Sequence, residues 1–162
     1  MRLTSTAFEQ GGAIPALFTC EGRNVSPQLD WSDLPKEAKS LALILHDPDG
    51  HDPDAPMANG FTHWVLYNIP TNVRQIGANQ RLDPQISEGF QGKNGAGKLG
   101  YTGPCPPSGT HRYFFRLYAL RSEVALEAGA TREQLEEAME GKVIEEAELM
   151  GTYTKGKAQA AR

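Results

Sequence analysis

The sequence predicts a mainly β domain, and three observations support this fold class. Glycine and proline, with 17 and 11 residues, are spread through the first two-thirds of the chain and separate short apolar segments. These segments are rich in β-branched and aromatic residues, which favour strands. A helical period begins only after residue 130. No shift in composition divides the 162 residues, so we expect a single domain over residues 1–153.

Three strands are predicted in the first 120 residues. The run 41–45, Leu-Ala-Leu-Ile-Leu, has the uniformly apolar character of a strand buried on both faces. Residues 61–69 are rich in β-branched and aromatic side chains, and Pro70 ends this strand because proline cannot donate to a sheet ladder. Residues 111–120 have a similar composition and form the third predicted strand.

The last third of the chain predicts short helices. Thr131, with a glutamine three residues later, has the sequence pattern of a capping box, and apolar residues then recur at helical spacing. Gly141 ends this helix, and we expect a second short helix over residues 142–148. Residues 149–153 are expected to return to the sheet as a strand, and the polar tail 154–162 is expected to fray.

Composition and charge exclude several classes of protein. A net charge of −4 lacks the basic footprint of a nucleic-acid-binding protein. The longest strictly apolar run has five residues, far fewer than the ~20 that span a bilayer. Residues 1–18 contain a glutamate, two glycines and a proline where a signal peptide needs an unbroken apolar stretch. We therefore expect a cytoplasmic protein with no nucleic-acid partner and no integral membrane contact.

Polar side chains at the margins of the predicted strands suggest a pocket. Asp47 directly follows the first buried strand. His63 lies near the start of the second strand, where alternation places it on the same face as Val65 and the residues at 67 and 69. His111 and Tyr113 share a face of the third strand, about 7 Å apart. Imidazole and phenol groups at such a margin are suited to holding a small anion.

A proline-rich loop precedes the third predicted strand. Residues 101–109 have the sequence Tyr-Thr-Gly-Pro-Cys-Pro-Pro-Ser-Gly, in which three prolines fix φ and remove three backbone donors. A rigid loop loses little conformational entropy when a ligand binds. We therefore expect this loop to form one wall of the pocket.

The two cysteines, Cys20 and Cys105, leave several interpretations open. They either form one disulfide or remain as two thiols. Cys105 lies six residues before His111, so a cysteine–histidine nucleophile is one enzymatic alternative. A hydrolase that uses Asp47 and His63 as acid and base is another, although no bond to be cleaved is indicated. We favour a binding protein over either enzyme.

Two stretches resemble cofactor or metal motifs without meeting their requirements. Residues 92–99 are similar to a P-loop, but Leu99 stands where a serine or threonine would hold magnesium. Residues 46–55 repeat His-Asp-Pro-Asp, but prolines interrupt the spacing of a calcium loop and no glutamate occupies its twelfth position. We therefore expect neither a metal nor a cofactor.

Several motifs together resemble the phosphatidylethanolamine-binding protein family, in particular its bacterial and archaeal branch, often called Raf kinase inhibitor-like. They are Asp-Pro-Asp after the buried strand, Thr-His-Trp-Val at 62–65 and Gly-Pro-Cys-Pro-Pro-Ser-Gly-Thr-His-Arg-Tyr at 103–113. Further agreement comes from Phe-Thr-Cys-Glu-Gly at 18–22 and Glu-Ala-Glu-Leu-Met-Gly-Thr-Tyr at 146–153. The resemblance extends over nearly the whole chain.

The resemblance implies a fold, a pocket and a function. The fold is an antiparallel β-sandwich in which a large sheet packs on a small one, with short C-terminal helices. The pocket accepts phosphate, phosphoethanolamine head groups and similar oxyanions. We therefore expect a non-enzymatic binding protein for phosphoryl ligands of the phosphatidylethanolamine type. Family members also modulate kinases and proteases, so an enzyme of this kind is the class of protein partner to expect.

The resemblance also assigns ligand-binding residues, motif by motif. They are Asp47, His63, Gly103, Pro104, His111 and Tyr113. Gly103 is expected to permit close approach of the ligand and Pro104 to fix the wall of the pocket. The arginine at position 112 is expected to be structural, in agreement with its place on the opposite face of the strand.

One departure from the family pattern concerns the rim of the pocket. The family sequence Asp-Pro-Asp-Ala-Pro occurs only in the second copy of the repeat, at 52–56, whereas the first copy continues as Gly50-His51. We take Asp47 as the pocket carboxylate because the sheet holds it in place. Asp52 stays open as the alternative, and His51 is a candidate for an additional ligand contact.

Overall fold

Two antiparallel sheets form the protein, as the sequence predicts. The structure, a computed structural model, describes residues 1–50 and 60–156. In these ranges the strands are β1 (Arg2–Thr4), β2 (Leu29–Ser32), β3 (Ser40–Asp47), β4 (Phe61–Ile69), β5 (Gln75–Ile76), β6 (Gln85–Ile86), β7 (Gly89–Gln91), β8 (Thr110–Leu120) and β9 (Val143–Thr154). A 3-10 turn at Ala16–Phe18 and one helix, α1 (Arg132–Met139), are also present. None of the helices described in these ranges is long and apolar enough to cross a membrane.

The large sheet has β3 at its centre. Its strand order is β6-β7-β4-β3-β8-β9, and the small sheet has the order β1-β2-β5. Every residue of β3 is buried, because β4 and β8 pair with its two edges while other layers cover its two faces. The predicted strand 41–45 lies within β3, 61–69 coincides with β4, and 111–120 lies within β8. The mainly β sandwich, with a large sheet packed on a small one, is confirmed.

Different layers cover the two faces of the large sheet. The sandwich core lies between the sheets and includes Leu29, Trp31, Leu43, Leu45, Trp64, Leu66, Phe115 and Leu117. The opposite face is covered by α1 and the loop before it, where Leu135, Met139, Val124 and Ala130 pack on Ala42, Ile44, Val65 and Tyr67. These two clusters are referred to below as the sandwich core and the helix-side cluster.

The predicted helix start is confirmed, but the second predicted helix is a strand. Thr131 accepts a hydrogen bond from the Gln134 amide, and the Gln134 side chain accepts one from the Thr131 amide, which completes the capping box. Residues 142–148, expected to be helical, instead belong largely to β9, which pairs with β8 along its length. The glutamate-rich stretch favours a helix by propensity, but eleven paired positions with β8 override that preference.

The end of β9 reaches one residue into the predicted tail. Thr154 pairs with Thr110 of β8 and is therefore part of the sheet. Lys155 and Gly156 form a turn, and the Gly156 amide donates to Glu21 Oε1 at 2.7 Å, so this part of the predicted tail is also held. Residues 157–162, the rest of the tail that was expected to fray, lie outside the described residues. His51 and Asp52, which the sequence left open as pocket residues, also lie outside them.

A β-bulge in β4 is located at His63. Leu45 of β3 pairs with Trp64, and the next residue, His46, pairs with Thr62, so one residue of β4 has no counterpart in the register. An extra residue in one strand interrupts the alternation of side chains between the two faces.

The bulge places His63 on the face opposite to the predicted one. Val65 and Tyr67 pack in the helix-side cluster, whereas the His63 ring contacts Tyr113, which belongs to the sandwich core. Ile69 also packs in the sandwich core, after a second register shift. The prediction that His63 shares a face with Val65, Tyr67 and Ile69 is therefore wrong, because strict alternation fails at a bulge.

The segment 16–24 is fastened to the loop 101–105. The links are hydrogen bonds from the Tyr101 hydroxyl to the Phe18 carbonyl (2.6 Å), from the Cys20 amide to the Pro104 carbonyl (3.1 Å) and from the Gly103 amide to Asn24 Oδ1 (2.7 Å). A disulfide between Cys20 and Cys105 adds a covalent link, with the two Cα atoms 5.4 Å apart. Of the interpretations left open for the cysteines, the disulfide is the one observed, so Cys105 is not a free nucleophile in this structure.

The disulfide is expected to contribute substantially to stability, because its cysteines are 85 residues apart and the bond restricts the unfolded chain. A Cys20→Ser/Cys105→Ser variant should lower the free energy of unfolding by about 2–4 kcal/mol. Urea denaturation followed by tryptophan fluorescence measures this, since Trp31 and Trp64 are both buried. A thiol reductant should reproduce the loss in the native chain and leave the double variant unchanged. Equal stability of the two proteins would contradict the prediction.

Candidate functional site

Five of the six predicted ligand-binding residues line one cavity of about 200 Å³. The cavity lies where the end of β3, the bulge of β4 and the start of β8 meet the loop 102–107. Its lining comprises Asp47, Gly50, Phe61, His63, Thr102, Gly103, Cys105, Pro106, Pro107, His111 and Tyr113. Two imidazoles, one carboxylate and one phenol are thus brought together from three strands.

Asp47 is held by the backbone of its own loop and by His111. Its Oδ1 accepts hydrogen bonds from the amides of Asp49 (2.7 Å) and Gly50 (2.9 Å), and its Oδ2 lies 2.7 Å from His111 Nδ1. The Asp47 side chain is 4% exposed and that of His111 is 13% exposed. Because a carboxylate only accepts, Nδ1 of His111 carries the proton of this bond. His111 Nε2 is therefore the nitrogen left for a ligand.

His63 is a buried and neutral imidazole. Its Nδ1 lies 2.7 Å from the Thr102 carbonyl, which can only accept, so Nδ1 carries the hydrogen. Burial lowers the pKa of His63 to about 4, against the opposing effects of the Thr102 carbonyl and the Asp47 carboxylate. Near neutral pH the remaining nitrogen, Nε2, is thus a hydrogen-bond acceptor. Phe61 and Tyr113 contact the ring edge-on, at centroid distances of 4.8 and 5.3 Å.

Tyr113 places a buried hydroxyl at the cavity without an acceptor. The residue is 0% exposed, and no acceptor among the described residues lies at hydrogen-bond distance from its hydroxyl, although the Asp47 carboxylate is close enough to attract its proton. Burial, with the nearby Asp47 carboxylate, raises the pKa of Tyr113 above its usual value, so the hydroxyl keeps its proton. An unsatisfied buried donor costs about 1–3 kcal/mol, which an acceptor in the cavity would recover.

Gly103 and Pro104 support the wall in ways that the sequence did not predict. Gly103 lines the cavity, and a Cβ atom there would lie 2.1 Å from the Phe18 carbonyl oxygen, so the glycine is also needed where the loop packs on the segment 16–24. Pro104 is buried and is not among the residues that line the cavity. Its carbonyl accepts a hydrogen bond from the Cys20 amide, on the side of the loop that faces the segment 16–24. A direct contact of Pro104 with a ligand is therefore not supported.

Arg112 lies outside the cavity and fixes the loop that carries Asp47. Its Nε and Nη2 donate to the two carboxylate oxygens of Asp49 at 2.9 and 2.8 Å, and its backbone amide donates to the same carboxylate. The Arg112 hydrogen bonds lower the pKa of Asp49 to about 2. Both aspartates of the Asp-Pro-Asp motif are therefore tied to consecutive residues of β8, namely His111 and Arg112.

Sequence reasoning missed several residues that line the cavity. Phe61 forms an aromatic side of it, and Pro106 and Pro107 extend the wall beyond Gly103. The proline-rich loop was expected to form a wall, but its individual lining residues were not assigned. Thr102 contributes through its carbonyl, and no side-chain pattern in the sequence signals a backbone acceptor.

Comparisons with known proteins agree with this fold. A family model described as phosphatidylethanolamine-binding protein matches residues 4–154. A UPF0098 protein of Methanothermobacter thermautotrophicus is 50% identical over 157 residues, which cover 96% of this chain and 100% of that protein.

Two solved structures are similar to this one. The crystal structure of a phosphatidylethanolamine-binding protein homologue from Chlamydia trachomatis has a TM-score of 0.86 at 46% identity, covering 95% of this chain and 97% of that one. Escherichia coli YbcL, described as a member of the mammalian family of such proteins, has a TM-score of 0.84 at 29% identity, covering 94% and 97%.

Two buried tyrosines provide a matched test of the unpartnered hydroxyl. Tyr113→Phe should leave the free energy of unfolding within ~0.5 kcal/mol of the native value or raise it, because its hydroxyl makes no hydrogen bond with the part of the chain that the structure describes. Tyr101→Phe should lower it by about 1 kcal/mol, since the Tyr101 hydroxyl donates to the Phe18 carbonyl. Urea denaturation of both variants measures the difference. A clear loss of stability in Tyr113→Phe would mean that its hydroxyl has a partner in the folded chain.

Proposed function

Since this chain belongs to the phosphatidylethanolamine-binding protein family, we propose that its cavity binds a small oxyanion without converting it chemically. The ligand is phosphate or the phosphoryl head group of a phosphatidylethanolamine-type molecule. The observation that carries the proposal is the buried, unpartnered hydroxyl of Tyr113, which lines the cavity beside His63 and His111. A donor that finds no acceptor at hydrogen-bond distance in residues 1–50 and 60–156 favours an oxygen-rich ligand at this point.

The size of the cavity supports a small ligand. A volume of about 200 Å³ lies below the ~300–1,000 Å³ of clefts that take drug-sized molecules. A free anion or a head group fits this volume, whereas an acyl chain would have to extend beyond it. Phe61, Pro106 and Pro107 line the cavity and offer apolar contact to the organic part of a head group.

Each predicted residue receives a role in this proposal. The Nε2 atoms of His63 and His111 and the hydroxyl of Tyr113 contact the phosphoryl oxygens. Asp47 orients His111 through the 2.7 Å hydrogen bond. Gly103 and Pro104 act indirectly, by holding the wall against the segment 16–24.

The proposal extends to a protein partner. The family resemblance names kinases and proteases as the enzymes that such proteins modulate. We propose a partner of this class. Binding of the partner would then depend on whether the cavity holds its ligand.

The disulfide bears on the proposed cytoplasmic location. Cytosolic reductants keep most protein thiols reduced, and both Cys20 and Cys105 are exposed. We propose that in the cytoplasm the bond is open to reduction. The three hydrogen bonds between the segment 16–24 and the loop 101–105 would then hold the wall by themselves.

Calorimetric titration with phosphate and with O-phosphoethanolamine at one fixed pH tests the binding function. The native protein should bind both, and His111→Ala should weaken binding at least about tenfold, equivalent to ~1.4 kcal/mol. A His63→Ala/His111→Ala variant should show no measurable binding while remaining folded by circular dichroism.

His46 provides the matched control for this titration. It is also a buried histidine, but it lies two residues after Ile44 and so on the helix side of the sheet. Its side chain contacts Thr62 and Arg132 and does not line the cavity. His46→Ala should retain the affinity of the native protein. Absence of binding by the native protein, or equal binding by the double variant, would contradict the proposed function.

A hydrolase is the second candidate function, and one observation favours it. The Asp47–His111 hydrogen bond has the geometry of a carboxylate that orients a general base. Under the binding proposal, a panel of carboxylic and phosphoric esters should show no turnover above the buffer rate. Turnover that disappears in His111→Ala would establish the hydrolase and overturn the proposed function.

A further inference from the structure

We propose that the cavity selects oxyanions that carry a proton, and that His63 Nε2 accepts that proton's hydrogen bond and makes the selection. The inference rests on the proposed function, because it specifies which form of the anion the same cavity takes. It distinguishes phosphate and phosphate monoesters such as O-phosphoethanolamine, which are partly protonated near neutral pH, from sulfate and from the phosphodiester of an intact phosphatidylethanolamine, which are not. Of the ligands proposed above, the cavity therefore takes the free anion or the monoester.

The hydrogen bonds of His63 within the chain determine what it can offer. Nδ1 must donate, because the Thr102 carbonyl 2.7 Å away has no hydrogen of its own. The ring is buried between Phe61 and Tyr113, where desolvation disfavours the imidazolium. Nε2 therefore presents a lone pair at the cavity. A fully deprotonated anion would place an oxygen lone pair against it, which is repulsive.

The charged groups around His63 do not change this conclusion. Asp47 from β3 and His111 from β8 form a hydrogen-bonded pair with each other. Tyr113, also from β8, is a neutral donor. From the other face of the sheet, His46 opposes protonation of His63, as does His111.

Two further charges lie near the cavity but neutralise each other. Asp49 and Arg112 form a two-pronged ion pair next to the loop of Asp47. Arg112 is therefore occupied and lies outside the cavity lining. In the described part of the chain, no lysine or arginine lines the cavity to compensate a doubly charged anion.

The donors and acceptors then match a singly protonated oxyanion. The Tyr113 hydroxyl donates to an unprotonated oxygen of the ligand, and a ligand O–H donates to His63 Nε2. His111 Nε2 donates to a third oxygen when the ring is an imidazolium, whose Nδ1 keeps its hydrogen bond to Asp47. A phosphate monoester has its second pKa near ~6, so at pH 7.5 it binds by taking up a proton from solution. Sulfate has no proton to give in this pH range and leaves His63 without a donor.

The test compares phosphate with sulfate at pH 7.5, by calorimetry in buffers of different ionisation enthalpy. Phosphate should bind with a larger net uptake of protons than sulfate, because a proton taken up by His111 accompanies either anion, and sulfate should bind at least about tenfold more weakly. Equal affinity for the two anions, or phosphate binding with no more proton uptake than sulfate, would overturn the inference while leaving the proposed function intact. Absence of phosphate binding would overturn both.

Two variants assign the selection to His63. His63→Phe keeps a ring in place but removes the acceptor, and should bring the ratio of the phosphate and sulfate affinities close to one. Tyr113→Phe removes a donor that serves both anions, and should weaken both while keeping their ratio. An unchanged ratio in folded His63→Phe would overturn the role of His63. Should that variant fail to fold, the proton uptake and the sulfate comparison in the native protein still decide the proposal.

Discussion

The antiparallel pairing of β3 with both β4 and β8 decides where the functional side chains meet. In such pairs the end of one strand lies beside the start of its neighbours, so the C-terminal end of β3 adjoins the first residues of β4 and β8. Asp47, His63 and His111 are far apart in sequence but share this one corner of the sheet. The hydrogen bonds of the cavity follow from this pairing, since the sandwich core holds all three strands in register.

The cavity combines polar groups that a stable core would avoid. A carboxylate, two imidazoles and a phenol are buried together, and the described residues use only some of their hydrogen-bonding capacity. Buried polar atoms without partners are unfavourable, so a fold tolerates them where a ligand supplies the missing partner. Covalent and polar links around the cavity offset the cost of burying these groups. They are the disulfide, the ion pair of Asp49 with Arg112 and the hydrogen bonds between the segment 16–24 and the loop 101–105.

Much of the fold, and the positions of most candidate residues, could be predicted from the sequence because strand composition and family motifs are local signals. The three main strands and the capping box at Thr131 are examples. The helix expected over residues 142–148 failed because pairing with β8 is a long-range effect that propensity does not contain. The face of His63 failed for a related reason, since a bulge depends on the register between two strands. Pro104 was assigned to the ligand although it does not line the cavity, because a motif does not say which side of a loop each residue serves.

The bulge also means that part of the binding site is specified by the number of residues in β4. In a strand of regular alternation the same Thr-His-Trp-Val sequence would turn the imidazole of His63 toward α1, away from Asp47 and His111. Deletion of a single residue near this point would thus abolish the constellation while every functional side chain remained in the sequence. A relative that keeps the motif but lacks the inserted residue has the residue types of the site without their spatial arrangement. Inheritance of function in such chains is therefore better judged from strand register than from residue identity.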